Sequence, residues 1–201
     1  FGLASARPTP QGLSGAPHSA LAKVEECGYF IHEKTLDAQD YGVPQRRRRI
    51  VIVGERKDHK TPLFEYPKPQ KHKITVREAI AYLPEPPEDG SEHPQISLHR
   101  RDRLSAKNIA RLQVLKPGQG RDFLPAELLA DCHKVSSNLI GHRNVYGRMP
   151  WDDVAPTITA RFDSFTRGMF GHPEQNRSIS LREGALLQTF RRTRQTLWSR
   201  P

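Results

Sequence analysis

Cysteine is scarce: Cys27 and Cys132 are the only two in 201 residues. A chain of this size buries a core without a disulfide staple, so the low count fits a reducing compartment and a cytoplasmic, nucleoid-associated setting. Without Cys-x-x-Cys spacing, Cys132, His133 and His142 do not make a structural zinc site, and no metal is expected. Long apolar runs are missing too. Nothing approaches the length of a membrane span, and no basic start leads into an apolar stretch, so neither a membrane nor a secreted protein is expected. Acidic residues are outnumbered, 22 against 32 lysines and arginines, which leaves a formal charge of +10. That surplus favours a polyanionic partner, nucleic acid first, through phosphate contacts and counterion release. The aromatic pattern of a single-strand reader is missing, which ranks an RNA-binding protein behind a DNA-binding one. The chain opens on Phe1 rather than Met, which reads as a start within a longer gene.

Hydrophobic residues make up 35% and prolines number 17, so long irregular stretches are expected between packed elements. The Gly-, Pro- and Ser-rich opening to Ala16 reads as loop. From Ser19 to Cys27, apolar positions at helical spacing followed by Gly28 predict a helix with a glycine C-cap. Tyr29 to Leu36 reads as a strand, and Arg49 to Gly54 is a continuous apolar run suited to a buried strand. Thr75 and Glu78 have capping-box spacing and predict a short helix ending before Pro84. Two further helical patterns cover Leu104 to Leu115 and Pro125 to Cys132. Ser180 and Glu183 form a second capping box, opening a helix expected to run to about Phe190. Gly118-Gln119-Gly120 follows no strand and reads as a turn rather than a phosphate cradle.

The densest local feature is Tyr41-Gly42-Val43-Pro44-Gln45-Arg46-Arg47-Arg48-Arg49, which runs into the apolar strand. Strand alternation would send Arg47 and Arg49 to one face and Arg46 and Arg48 to the other, a paired guanidinium site for phosphate or carbonyl oxygens. Standing alone, the run reads as a solvated basic edge that deters strand pairing. It is followed, however, by Pro156-Thr157-Ile158-Thr159, by Gly171-His172-Pro173 and Arg177-Ser178-Ile179-Ser180-Leu181-Arg182-Glu183, and by Leu187-Gln188-Thr189-Phe190.

In this order the segments resemble the C-terminal sequence blocks of the DNA (cytosine-5) methyltransferase family. Gln45-x-Arg47-x-Arg49 looks like its Gln-x-Arg-x-Arg block, Pro-Thr-Ile-Thr like its next block, and Arg-Glu with Leu-Gln-Thr-Phe like the start of its last. The resemblance implies a partial Rossmann-like α/β sheet of an S-adenosylmethionine-dependent methyltransferase with a small irregular target recognition lobe. It implies a catalytic part over residues 1–84, target recognition over 85–150, a return to the catalytic part over 151–190 and a divergent basic tail over 191–201. In the family the enzyme flips a cytosine from the duplex, a cysteine thiolate adds to C6, and the cofactor methylates C5. By resemblance Arg49 holds the flipped cytosine and its phosphate, Arg47 and Gln45 support it, and Thr157 and Thr159 contact double-stranded DNA.

Departures from the pattern carry their own expectations. Cys27 lies between Glu26 and Gly28, and Cys132 between Asp131 and His133, so neither matches the family's Pro-Cys-Gln segment. The Glu-Asn-Val and Phe-x-Gly-x-Gly blocks are missing as well. The chain alone is therefore expected to be inactive and not to bind the cofactor. It reads as a fragment, as a non-catalytic DNA-binding remnant, or as half of a split enzyme that needs a complementary N-terminal polypeptide. Arg191 to Pro201 departs from the family continuation, as a frameshift or premature end would; the alternative is a lineage-specific tail that touches DNA. Without further strands, Ile50, Val51, Ile52 and Val53 are expected to leave apolar surface exposed.

Overall fold

The computed structural model describes residues 16–58, 61–131 and 145–190. Cys132, the zinc-like His133 and His142, and the tail 191–201 lie outside the described residues. The chain divides into two compact units, residues 1–36 with 49–68, and residues 37–48 with 69–201.

In the first unit helix α1 (Ala16–Glu26) ends at Gly28, whose φ of +90° takes the left-handed turn that a Cβ would penalise. Strands β1 (Tyr29–Asp37) and β2 (Arg48–Arg56) form a two-stranded antiparallel sheet. A strap from Leu63 to Tyr66 covers one face. Leu63 and Phe64 N–H donate to the Glu55 carboxylate at 2.8 and 2.9 Å, which holds that carboxyl below its usual range. The Tyr66 hydroxyl is shared between the carbonyls of His32 and Val51, each at 2.7 Å. The other face is open: Ile50 is 59% and Ile52 48% exposed, while Val51 and Val53 are half-buried. The buried strand expected from the apolar run is thus covered on one side only, because two strands and one strap cannot enclose both faces of a pleat.

The second unit carries the core. Val76 and Ile80 of α2 (Val76–Ile80) pack with Met149, Ala155, Ile158, Phe170, Ile179 and Leu187. A smaller cluster joins Leu112 of α3 (Ala106–Val114) to Leu115, Leu124 and Phe165. Both expected capping boxes form, Thr75 with Glu78 on α2 and Ser180 with Glu183 on α4 (Leu181–Leu186). Two helices are shorter than their sequence patterns. Helix α4 stops before Phe190 because Thr189 takes a φ of +62° and Phe190 N–H turns back to the Ala185 carbonyl. The pattern from Pro125 yields a 3-10 turn, Ala126–Leu128, after which Leu129 is extended and the Leu128 carbonyl accepts from Arg111 Nε at 2.7 Å. Among the described residues no helix is long and apolar enough to cross a membrane.

Candidate nucleic-acid interface

The basic segment is held by its backbone. After β1 the chain makes a 3-10 turn, Ala38–Tyr41, and leaves it through Gly42 at a φ of +80°. Residues 44–46 then pair in parallel with the segment around Ala155. Ala155 N–H donates to the Pro44 carbonyl at 3.0 Å and Arg46 N–H to the Ala155 carbonyl at 2.8 Å. Pro44 lacks a donor, and this register asks only for its carbonyl. Gln45 is 1% exposed, and its Oε1 accepts from Ile158 N–H at 3.1 Å. The Thr157 hydroxyl donates to the Arg46 carbonyl at 2.7 Å.

Gln45 and Thr157, 112 positions apart by their numbering, therefore meet on the two sides of one short parallel pairing. Arg47, half-buried, directly follows it; its N–H donates to Asp37 Oδ1 at 2.9 Å and its carbonyl accepts from Ala38 N–H at 3.0 Å. Thr159 is exposed two residues beyond Thr157. Arg49 lies on β2 within the first unit and is not part of this pairing. The alternation expected across Arg46 to Arg49 does not hold at its start. Strand β2 begins at Arg48, because Arg46 N–H is diverted to Ala155, and the Arg46 guanidinium pairs with Asp153 at 3.2 Å.

A buried charge network that the sequence patterns do not reveal stands behind the Pro-Thr segment. Arg177 and Glu183 are 2% and 1% exposed at their side chains and pair through two bonds of 2.7 and 2.6 Å. Burial pushes the Glu183 carboxyl up, but the Arg177 guanidinium outweighs it and leaves the group below its usual range. His172 Nδ1 accepts from Glu174 and Gln175 N–H, and burial, reinforced by Arg177, pushes its pKa down to about 3. His99 spans Ser180 Oγ at 2.8 Å and the Pro84 carbonyl at 2.7 Å. Because a carbonyl cannot donate, Nε2 carries the proton and Nδ1 accepts from the serine hydroxyl. Arg148 gives all its guanidinium N–H groups to the carbonyls of Leu112, Leu115, His172 and Gln175 and to Asn176 Oδ1. These residues are a scaffold: their polar atoms are turned into the protein. The Arg177 to Glu183 stretch was visible as a motif, but its internal pairing was not, since a six-residue spacing matches no helical or strand neighbour rule.

A second support lies at α2. Arg77 clasps Asp152 through bonds of 2.7 and 3.1 Å and lies over the Trp151 ring at 5.2 Å, while Arg77 and Val76 N–H donate to the carbonyls of Trp151 and Asp153. The arrangement offers cationic and hydroxyl groups on a backbone with its hydrogen bonds made, the requirement for positioning an anion rather than merely attracting it. Gly118, at a φ of +81°, lies beside Pro150 and donates its N–H to the Arg148 carbonyl, so this Gly-x-Gly forms the expected turn. Among the described residues, no group of three or more His, Cys, Asp or Glu side chains could hold a metal ion.

Comparison with known proteins agrees with the order of the blocks. The family model for C-5 cytosine-specific DNA methylase matches residues 15–199. The type II methylase M.HgiDII of Herpetosiphon aurantiacus is 39% identical over 87% of this chain and 49% of its own. The type II methyltransferase M.BbvI of Brevibacillus brevis is 34% identical over 85% of this chain and 42% of its own. The chain thus spans about half the length of these curated relatives. A solved prophage-encoded E. coli protein described as a DNA modification methyltransferase superposes with a TM-score of 0.52 at 17% identity, covering 88% of this chain and 56% of that one. On the breadth of the family match, this chain belongs to the C-5 cytosine-specific DNA methylases.

Proposed function

We propose that this chain is the DNA-positioning part of a cytosine-5 methyltransferase: it grips duplex DNA at a specific sequence and holds a cytosine turned out of the stack for methylation at C5. The observation that carries the reading is the pairing of residues 44–46 with the Ala155 segment, which fixes Gln45 and Thr157 beside Arg47. In this reading Arg47 and Arg49 supply guanidinium contacts to the base carbonyl and phosphate, and Thr157 and Thr159 contact the duplex. Gln45, with its amide oxygen committed to Ile158, fastens the frame instead of reading a base. Residues 85–150 recognise the target. The β1–β2 pair belongs to a larger Rossmann-like sheet.

S-adenosylmethionine supplies the methyl group in this family reading. The described residues do not fit it: the Gly-x-Gly at Gly118 forms a turn, and a cavity of about 710 Å³ is lined by Tyr82, Glu92, His93 and Arg182 without a glycine-rich turn. Nor does either cysteine lie in a Pro-Cys-Gln segment. That content favours a division of labour, in which nucleophile and donor come from residues other than these, in a longer form of the same polypeptide or in a complementary one, over methylation by these residues alone. The same content suits a non-catalytic DNA-binding remnant.

The deciding experiment measures methyl transfer from labelled S-adenosylmethionine to duplex DNA, by this chain alone and mixed with the N-terminal half of a close relative. We expect transfer in the mixture only. Silence in both, with duplex binding retained, would favour the remnant; transfer by the chain alone would overturn the division of labour.

A further inference from the structure

We propose that Asp37 is the positioning residue for Arg47, a role that rests on the DNA-contacting reading of the arginine segment. Between Pro44 and Arg47, two structures hold the backbone from opposite ends of the segment. Residues 155–157 take the Pro44 carbonyl, Arg46 N–H and Arg46 carbonyl. Asp37 and Ala38 take the two polar groups of Arg47, its N–H through Asp37 Oδ1 at 2.9 Å and its carbonyl through Ala38 N–H at 3.0 Å. Asp37 is itself held. Its Oδ2 accepts from Gln39 Nε2 at 2.8 Å, and it caps the 3-10 turn Ala38–Tyr41. The carboxylate therefore engages the backbone N–H of the arginine, where it sets the direction in which the Arg47 Cα–Cβ bond leaves the chain. A carboxylate beside a DNA-binding segment is costly for attraction, since it cancels one of the charges that draw phosphate. Its placement makes sense if position, not charge, is what it supplies.

Charge and position make opposite predictions, which allows a clean test. Duplex affinity of the whole chain is measured by fluorescence anisotropy over a salt series for the wild type, Asp37→Ala, Asp37→Asn, Arg47→Ala and the Asp37→Ala/Arg47→Ala pair. Removing a negative charge alone should tighten binding in both Asp37 variants. Positioning instead makes Asp37→Ala bind roughly tenfold more weakly, with a salt slope shallower by about 0.9, as for a lost phosphate contact. Asp37→Asn keeps a carbonyl oxygen for Arg47 N–H and should bind as the wild type or slightly better. The double variant should bind no more weakly than Arg47→Ala, since both changes remove one contact. Circular dichroism and melting temperature identify any variant that has merely unfolded, and Asp37→Asn keeps the comparison open if Asp37→Ala does. If Arg47→Ala weakens binding while Asp37→Ala tightens it, the positioning role is wrong and the DNA reading stands. If Arg47→Ala changes nothing, the reading of the arginine segment fails first.

Discussion

At the scale of single residues, Glu183 does two jobs. It closes the capping box by accepting from Ser180 N–H at 2.6 Å, and it neutralises Arg177 inside the protein. Glu183→Gln would leave a guanidinium buried without its anion, a loss of about 3–5 kcal/mol by comparison with other broken buried pairs; a denaturant midpoint unchanged from the wild type would refute it. The capping role is legible from Ser-x-x-Glu, but the pairing requires the turn that brings Arg177 back over the helix. His172 gives a pH dependence of defined sign. Its folded pKa of about 3 lies below the ordinary value near 6.5, so the unfolded chain takes up the proton first. Stability is complete above pH ~6.5 and declines as the pH falls toward the folded value. His99, likewise held down by burial, adds to the same trend. Denaturation midpoints at pH 7.5 and 5.5 should differ in the wild type and differ less in His172→Gln; equal drops would remove His172 from the account.

At the scale of elements, the two capping boxes have the same pattern and different consequences. Thr75 sits at an exposed helix start, whereas Ser180 is buried and its hydroxyl also serves His99. Thr75→Ala should cost about 1 kcal/mol, the usual loss of a cap, and Ser180→Ala clearly more, because it strands a buried imidazole nitrogen; equal melting-temperature losses would contradict this. Helix starts were legible because a cap is a local chemical event between residues three apart. Helix ends were legible only where a glycine marks one, as at Gly28: Thr189 carries no glycine-like signal for its left-handed φ, and the Leu128 carbonyl is taken by Arg111, a partner on another helix. Strand β2 was legible as a strand. Its half-covered state depends on which strands lie beside it, and a run such as Ile50-Val51-Ile52-Val53 cannot specify that.

Taken as a whole molecule, the chain exposes Ile50 and Ile52 together on one sheet face while its relatives are about twice as long. Replacing both with threonine, which keeps β-branching, should raise the concentration at which the chain stays monomeric in light scattering and leave its melting temperature nearly unchanged; a large loss of stability would mean that this face is packed within the fold. The family was legible from the order of three blocks, and the structure explains why order mattered: the first two blocks are physical neighbours, joined at Gln45 and Ile158 across a separation of 113 residues. That separation bears on how such a protein can change. Closing a loop costs entropy that grows only logarithmically, about 0.6 kcal/mol for each doubling of its length. Changes in length of the exposed connections enclosed by the Gln45–Ile158 bond therefore add little to the cost of closing the clamp at its base. On the proposed role of residues 85–150, a lineage can then acquire a new target sequence by changing those connections while inheriting the clamp.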